Sequence, residues 1–381
     1  MLLLKNGKIF TMENEKVYYG DILIDKGRIV QMESNIYISD VEVIDLHHQI
    51  VLPGLVDGST HLGLIEAGKK FEGDDTNEKY DLFTPHLNTR DGIYPWDECF
   101  AQAIKGGITT VVVSSGNMNV VGSQSCAVKT KSAAMEKMML ASCVDIQVTL
   151  GDAPKKWNQN KQESPLSRMG IAHLLRKVLL DAKKYSAKKE KRDVDFESYD
   201  PKYEAIQRVI TKQCPLKITA HKAQDILTAI QIGKEFGISV MIDYGTESYM
   251  VLEELQQANA PVFLGSCLTD QSSPELQNRR IDSGKVLSSA GICTCITTHH
   301  PDVSVDLLLL SAAAMVKEGM SYGEALKAIT IHPAKALGLD HRIGSIKEGK
   351  DADLVVLDGD PFKSMSRVMM TVLNGEIVYQ R

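Results

Sequence analysis

Apolar runs of strand length alternate with helical stretches through the middle of the chain, beginning at Pro53. The runs include LVDGSTH, ITTVVVSSG, DIQVTLGD, LKITAH, SVMIDYG, PVFLGS and GICTCITTHH, and most precede a helical stretch such as ECFAQAIKGG, SAAMEKMMLA or DILTAIQIGKEFG. Continuous β-branched strands separated by helices indicate a parallel sheet covered by helices. About eight such units predict an α/β fold, a (β/α)₈ TIM barrel.

Both ends of the chain show a different pattern, of short strands joined by hairpin turns. LLLKNGKIFTM and DILIDKGRIVQM place Asn-Gly and Lys-Gly between apolar runs near the start, and DADLVVLDGDPF and RVMMTVLNGEIVYQR do the same near the end. We expect the two ends to build one small β-sandwich domain from residues 1–52 and 345–381. The barrel then occupies residues 53–344.

Composition and charge exclude some classes of protein but do not indicate a particular function. The 381 residues are 43% hydrophobic and 24% charged, with a formal net charge of -6, which argues against nucleic acid as a partner. The start lacks a secretory signal and no window has the length of a membrane span, so we expect a cytoplasmic protein that takes a small molecule. The seven cysteines are odd in number and scattered, and Cys293 and Cys295 are read as buried thiols.

Polar residues stand where the apolar runs stop, at the strand ends that carry the chemistry of a barrel. They are Ser59, His61, Asp152, His221, Asp243, Tyr244, His299 and His300. Imidazole and carboxylate are common ligands of zinc, which leaves a position open for water in hydrolytic sites. Each histidine alone is also compatible with a hydrogen-bonded structural role, but their concentration at strand ends favours a site.

Several motifs resemble those of the amidohydrolase superfamily, in its imidazolonepropionase-like or prolidase-like branch. They are KNGKIFTM, VLPGLVDGSTHLGL, GGITTVVVSSGNMNVVG, SPLSRMG, ITAHKAQDILTAI, GTESY and HPAKALGLDHRIGSIKEGKDADLVVLDGDP. The resemblance runs nearly from end to end. It implies a barrel combined with a small β domain, which agrees with the hydrophobic pattern.

The resemblance also implies a metal centre, and here the sequence departs from the family pattern. The expected HxH motif reads Ser59-Thr60-His61, and Asp152 stands in place of a family Glu. His221 is retained, whereas Tyr244 replaces a histidine and His299 replaces an aspartate. Ser59 and Tyr244 therefore occupy positions where ligands are expected.

These replacements predict at most a mononuclear metal site. Serine is a poor neutral ligand, and tyrosine binds metal well only as the phenolate. His61, Asp152, His221 and His299 remain as candidate ligands for one divalent metal ion, with zinc favoured, and the alternative is that no metal binds. His299 is also the candidate catalytic base.

Arg168, Lys129 and Tyr244 are candidate substrate-binding residues. Arg168 in SPLSRMG has the planar fork that suits a substrate carboxylate, and pairing within its loop is the structural alternative. Lys129 in CAVKT is read as an anion-binding or carbamate-forming residue, against a role as an ordinary surface or loop lysine.

Three functions stay open at this point. The first is metal-dependent hydrolysis of non-peptide C–N bonds in a cyclic amide or an acyl or dipeptide-like amide. The second is a catalytically inactive relative that acts as a binding or assembly protein, since a fold does not fix a function. The third is metal-free chemistry by His299 with Asp302 or Tyr244. The resemblance also implies a homo-oligomer.

Overall fold

The computed structural model describes residues 1–14, 16–68, 71–156, 165–190, 199–265, 268–269 and 273–381. The strands are β1 Leu2–Phe10, β2 Val17–Asp25, β3 Arg28–Glu33, β4 Glu42–Asp45, β5 Ile50–Pro53, β6 Leu55–Thr60, β7 Ile108–Val113, β8 Val121–Lys129, β9 Met139–Thr149, β10 Leu216–Ala220, β11 Val240–Tyr244, β12 Val262–Leu264, β13 Thr294–Ile296, β14 Leu354–Leu357, β15 Val368–Leu373 and β16 Glu376–Gln380. The α-helices are α1 Glu98–Lys105, α2 Met135–Met138, α3 Ala153–Lys156, α4 Arg168–Glu190, α5 Pro201–Ile210, α6 Ala223–Phe236, α7 Leu252–Ala258, α8 Ser283–Ser289, α9 Leu308–Lys317, α10 Tyr322–Ala328 and α11 Ile331–Ala336.

The two ends of the chain form one eight-stranded sheet. Its strand order is β16-β15-β14-β5-β1-β2-β3, with β4 paired to β1. The predicted turns at Lys26-Gly27 and Asn374-Gly375 lie between β2 and β3 and between β15 and β16. The turn predicted at Asn6-Gly7 is wrong, because both residues lie within β1, where the pairing with β2 shifts register. Fourteen buried apolar residues drawn from both ends, including Leu4, Val51 and Val356, form a core separate from that of the barrel. The domain is therefore composite, because neither end of the chain supplies the whole core.

The barrel is the second sheet, in the order β13-β12-β11-β10-β9-β8-β7-β6. Its pairs are parallel except that β8 is antiparallel to both β7 and β9. The chain therefore makes a meander here instead of two β/α units. The predicted helix SAAMEKMMLA is reduced to the single turn α2, because β9 begins at Met139 and pairs with β8.

Side chains link the two edge strands of this sheet. Asp57 on β6 accepts a hydrogen bond from the hydroxyl of Thr298, just after β13, at 2.6 Å, and Thr297 donates to the carbonyl oxygen of Ser59 at 2.6 Å. Since all these groups are buried, the bonds bring the ends of β6 and β13 together. This places the residues that follow both strands at one mouth.

The chain passes from the terminal sheet into the barrel at Gly54. A Cβ atom at this position would lie 2.2 Å from the hydroxyl oxygen of Thr109, so only glycine fits the close approach of β6 to β7. The charged run at residues 183–200, predicted to be a solvated helix or an insertion, begins within α4. Residues 191–198 of that run lie outside the described residues.

No helix among the described residues combines the length and the apolar character needed to cross a lipid bilayer.

Candidate functional site

An ion pair between Asp243 and His299 lies at the centre of the barrel mouth. The Nε2 atom of His299 is 2.9 Å from Oδ1 of Asp243, and both side chains are at most 2% exposed. The hydroxyl of Ser59 donates to Oδ2 of the same carboxylate at 3.2 Å. Burial alone would raise the pKa of Asp243, but the charge and hydrogen bond of His299, followed by Lys217 and Ser59, lower it to about 2. Asp243 is therefore an ionised carboxylate that His299, Lys217 and Ser59 stabilise.

The phenol ring of Tyr244 lies between two of the site histidines. Its centroid is 3.8 Å from that of His299, with the rings stacked at 23°, and 4.7 Å from that of His221. The hydroxyl donates to Oδ2 of Asp302 at 2.9 Å. Burial, with the charges of Asp302 and Asp243 adding to it, raises the pKa of Tyr244 well above its usual value. The ring therefore stays a neutral phenol.

His61 and His221 both face the mouth with one ring nitrogen held by the scaffold. Nδ1 of His61 is 2.8 Å from the carbonyl oxygen of Ser114, so that nitrogen carries the proton and Nε2 is left as an acceptor. Nδ1 of His221 is 2.8 Å from the hydroxyl of Thr246. Burial is the largest cause that lowers the pKa of both rings, to about 4 for His221. Both imidazoles are thus neutral near pH 7.

The backbone is strained where the site is built. Tyr244 has φ of 65° and His299 has φ of 46°, in the left-handed region that side chains with a Cβ atom rarely adopt. A Cβ atom added to Gly265, after β12, would lie 2.3 Å from Nδ1 of His299. Strain of this kind persists where the surrounding structure enforces it, and it concentrates at functional sites.

A second buried ion pair, missed in the sequence analysis, lies beneath the mouth inside the barrel. Nζ of Lys217 is 3.0 Å from Oδ2 of Asp145, and neither side chain has any exposed surface. Lys217 also donates to the carbonyl oxygen of Gly58 at 3.0 Å and to the hydroxyl of Ser114 at 3.2 Å. The available signal was a lysine within the apolar strand LKITA, two residues from Thr219 on the same face.

Asp152 and Arg168 lie in a separate cluster of charged groups. Asp152 pairs with Lys155, and one of its oxygens is 3.1 Å from Arg168. Arg168 also donates to Asp225 at 2.9 Å and to Glu275 at 3.3 Å. The structure therefore joins Arg168 to the carboxylates of its own chain, and it pairs Asp152 with cations instead of with the histidines.

Lys129 lies at the opposite end of the barrel from the mouth. Because β8 is antiparallel, its last residue pairs with Thr110 near the start of β7. Lys129 is buried there between two carboxylates of the terminal sheet region, in a short contact with Asp353 and at 3.2 Å from Asp351. Arg342 contacts the same oxygen of Asp351, Oδ2, at 2.8 Å. This is an ion-pair cluster that joins the barrel to the terminal domain.

The side chains at the mouth do not fit a zinc centre in this arrangement. Structural and catalytic zinc sites use three or four protein ligands, mostly imidazole, thiolate and carboxylate. His61 and His221 each bond to the scaffold through Nδ1, which leaves Nε2 for a ligand. Nε2 of His299 is paired with Asp243, its Nδ1 is buried without a partner among the described residues, and Tyr244 is a neutral phenol. Among the described residues, no group of three or more histidine, cysteine or acidic side chains has the spacing of a metal site.

Comparison with known proteins defines the class to which this barrel and terminal sheet belong. The sequence profile of the amidohydrolase family matches residues 50–378. A crystal structure of an amidohydrolase from Thermotoga maritima MSB8 is 34% identical, covers 100% of both chains and superposes with a TM-score of 0.96. This chain belongs to the amidohydrolase family.

Curated relatives are more distant. An imidazolonepropionase from Thermoplasma volcanium is 23% identical over 99% of this chain and 93% of its own length. An amidohydrolase from Hapsidospora irregularis is 23% identical over 90% of this chain, which spans only 38% of that longer protein. The family and fold predicted from the motifs are confirmed. Binding of divalent metals is typical of the family, whereas the roles predicted for single site residues stay predictions.

Proposed function

We propose that this chain uses the amidohydrolase barrel to bind a small amide-bearing molecule, and that the mouth has exchanged metal-activated hydrolysis for recognition. Of the functions predicted from the sequence, this is the catalytically inactive relative. The proposal keeps the ligand class of the family, whose members act on amide and related C–N bonds. It attributes the loss of metal-activated hydrolysis to the residues that replace the expected metal ligands.

A single observation carries the proposal, namely the stack of Tyr244 on the ion-paired His299. His299 stands where the family places an aspartate ligand, and its Nε2 atom is bonded to Asp243 at 2.9 Å. Tyr244 stands where the family places a histidine ligand, and its hydroxyl bonds to Asp302. The two replacements stack on each other, and each of them is bonded to a carboxylate. A cation that bound to Asp243 and Asp302 would have to break the bonds to His299 and Tyr244.

The groups that remain at the mouth favour a ligand with N–H or O–H donors. Nε2 of His61 is fixed as an acceptor by the bond from Nδ1 to Ser114. The exposed carboxylate of Asp302 adds acceptor oxygens beside the phenol. A cyclic or dipeptide-like amide offers N–H donors to both. Tyr244 and His221 supply ring faces against which a flat amide could stack.

Nucleophilic catalysis of the serine protease kind does not fit the order of these groups. In a catalytic triad the histidine stands between the serine and the acid, so that it can take the serine proton. Here Asp243 stands in the middle, accepting from Ser59 on one oxygen and from His299 on the other. Ser59 therefore has as its partner a carboxylate with a pKa of about 2, which is a much weaker base than the imidazole of a triad.

A second candidate, hydrolysis assisted by one metal ion, is favoured by the two neutral histidines. A histidine that ligates metal usually binds a carbonyl or carboxylate through its other nitrogen, as His61 does with Ser114. His61 and His221 would hold the ion, which would supply an activated water. This candidate needs further ligands, and Asp243 is the carboxylate whose present bonds it would have to replace.

The test compares the parent with the triple variant Ser59→His, Tyr244→His, His299→Asp, which restores the side-chain types that the family places at these positions. Thermal unfolding is followed with and without added Zn²⁺ or Mn²⁺. Ions should leave the parent unchanged and raise the melting temperature of the variant, because His299→Asp removes the cation beside Asp243 and adds a second carboxylate. A control triple of the same substitution types at exposed residues accounts for unspecific metal binding.

Binding and turnover are measured on the parent with a panel of cyclic amides and N-acyl amino acids. We expect saturable binding of at least one member, weakened by His61→Gln, and no hydrolysis. Turnover that stops on addition of a chelator would overturn the proposal in favour of metal-assisted hydrolysis. A parent that binds no member of the panel would overturn the proposed ligand class.

A further inference from the structure

Two cysteines from neighbouring strands meet at the foot of the barrel, opposite to the mouth. Cys143 lies on β9 and Cys214 lies two residues before β10. The two strands are paired in parallel, and the backbone N–H of Ile146 donates to the carbonyl oxygen of Pro215 at 3.2 Å. The two thiols lie in side-chain contact, and the thiol of Cys143 also donates to the carbonyl oxygen of Asp145 at 3.7 Å. Neighbouring strands hold Cα atoms at a separation that a disulfide can span.

The surroundings give the two thiols different characters. Cys143 is half-buried, and the guanidinium of Arg208 lies beside it, whereas Cys214 is 7% exposed. The guanidinium of Arg208 donates to Oε1 of Gln124 at 3.0 Å, and the backbone carbonyl oxygen of Arg208 accepts the N–H groups of Gln213 at 2.8 Å and Cys214 at 3.3 Å. The hydrogen bond from Cys214, supported by Arg208, lowers the pKa of Cys143, and the same bond together with burial raises that of Cys214.

Both cysteines line an open cleft with room for a small molecule. The cleft has a volume of about 790 Å³ and is lined by Cys143, Cys214, Lys212, Lys335 and Arg342 together with apolar side chains from the strand starts. Lys212 and Lys335 favour a reagent that carries carboxylates, whereas Arg342 is paired with Asp351. The cleft is separate from the site at the mouth, because it lies at the amino ends of the strands.

The pair Cys293 and Cys295 offers a contrast within the same chain. These thiols are also in contact, but they are two residues apart and Cys295 is fully buried on β13. Lys335 is the cation that acts on Cys293. A bond between them would have to form within one strand instead of between two. They serve as the matched control.

We propose that Cys143 and Cys214 form a redox-active dithiol that reacts with small anionic disulfides in the cleft. The thiolate of Cys143 attacks one sulfur of the small disulfide. That sulfur forms a mixed disulfide with Cys143, and the other sulfur leaves with its half of the reagent as a thiolate. Cys214 then loses its proton and attacks the Cys143 sulfur, releasing the second small thiol. Two protein thiols are oxidised and one small disulfide is reduced to two thiols. The product bond ties β9 to the segment before β10.

The test incubates the full-length, fully reduced protein with oxidised glutathione and maps blocked and linked peptides by mass spectrometry. The parent should lose two hydrogens and yield a peptide pair joined through Cys143 and Cys214. Cys214→Ser should stop at a glutathione adduct on Cys143, and Cys143→Ser should carry no adduct on Cys214. Cys293→Ser should behave as the parent does. Thermal unfolding should occur at a higher temperature in the oxidised parent, and dithiothreitol should reverse the shift.

Other outcomes would overturn the proposal. The linked peptide could be absent at a glutathione ratio that oxidises ordinary dithiols, or Cys293 could react as fast as Cys143. An unmodified Cys143 in Cys214→Ser would show that it is not the attacking thiol. Because each variant is read by mass, a change in stability does not obscure the result.

Discussion

The barrel buries carboxylates at both of its ends, and it neutralises them in different ways. At the junction with the terminal sheet, Asp351 and Asp353 are paired with the ammonium group of Lys129. At the mouth, Asp243 is paired with the imidazole of His299. The junction thus uses a lysine as the partner of its carboxylates, whereas the mouth uses a histidine.

The barrel can keep its fold while the groups around its buried carboxylate at the mouth change. A buried carboxylate needs a nearby cation or it becomes protonated. The family resemblance implies metal ions for this role at the mouth. In this chain His299, with Lys217 beneath it, provides the positive charge that the low pKa of Asp243 reflects.

Breaking the junction should have the largest effect on stability. Lys129→Met leaves two buried carboxylates without their lysine, and we expect a loss of about 3–5 kcal/mol in the free energy of unfolding. The control is Lys131→Met, two residues away, which removes an exposed pair with Glu376 and should cost less than about 1 kcal/mol. Urea unfolding measures both. Equal losses would show that the junction pair is not a buried cluster of the kind described.

Replacing His299 at the mouth should have the next largest effect on the free energy of unfolding. His299→Gln should lower the free energy of unfolding by about 2 kcal/mol, the range for a hydrogen bond to a charged group. The folded pKa of Asp243, about 2, lies below its unfolded value of about 3.9, so its contribution is full above about pH 4 and disappears as pH falls towards 2. In the variant this loss should begin at higher pH.

The control for this substitution is His332→Gln, because the ring of His332 bonds to the carbonyl oxygen of Thr294 and has no carboxylate partner of this kind. Its acid unfolding curve should keep the shape of the parent curve. If both variants shift the acid limb equally, the pairing of His299 with Asp243 does not set the charge at the mouth.

His221 should make the stability of the mouth depend on pH. Its folded pKa of about 4 lies below the unfolded value of about 6.5, so the unfolded chain binds the proton first as pH falls. Its stability contribution is full above about pH 6.5 and is lost as pH falls through about 4, at about 1.4 kcal/mol for each unit of pKa difference.

The corresponding measurement is urea unfolding of the parent and His221→Gln between about pH 7 and pH 4. The variant should lose less stability over this range. His341→Gln, at an exposed position, should follow the parent. Parallel curves for all three proteins would contradict the assignment of a neutral, buried imidazole at position 221.

The smallest effect is expected from the phenol hydroxyl. Tyr244→Phe keeps the stack on His299 and removes only the bond to Asp302, so the expected loss is about 0.5–1.5 kcal/mol. Tyr322→Phe removes a comparable bond to Asp360, away from the mouth. If Tyr244→Phe lowers the free energy of unfolding by more than about 2 kcal/mol beyond the loss in Tyr322→Phe, the hydroxyl of Tyr244, and not its ring, is the main stabilising group of the site.

The architecture could be predicted from the sequence because burial leaves a regular pattern. The β-branched runs gave the strands of the barrel, and Asn374 with Gly375 marked a turn between β15 and β16 of the terminal sheet. The meander was missed because VGSQSCAVK, now β8, is rich in small polar residues and lacks a β-branched run. The segment forms a strand because it pairs with β7 and β9 in the folded barrel, and not because its residues have a high strand propensity.

The candidate site could be predicted only in part. Strand ends identified His61, His221, Tyr244 and His299 as neighbours, since these ends converge in a barrel. Their partners could not be found this way, because the pairs of Asp243 with His299 and of Lys217 with Asp145 join distant segments. The antiparallel direction of β8 was not predicted, and it places Lys129 at the end of the barrel opposite to the mouth.

The central claim is that side chains of this chain, and not a metal ion, neutralise Asp243 at the mouth. The most direct measurement is the metal content of the protein after expression in zinc-supplemented medium and purification without chelators. We predict far less than one equivalent of zinc or any other divalent metal per chain after dialysis. One or more equivalents retained by the parent, and lost in His61→Gln and His221→Gln, would contradict the claim.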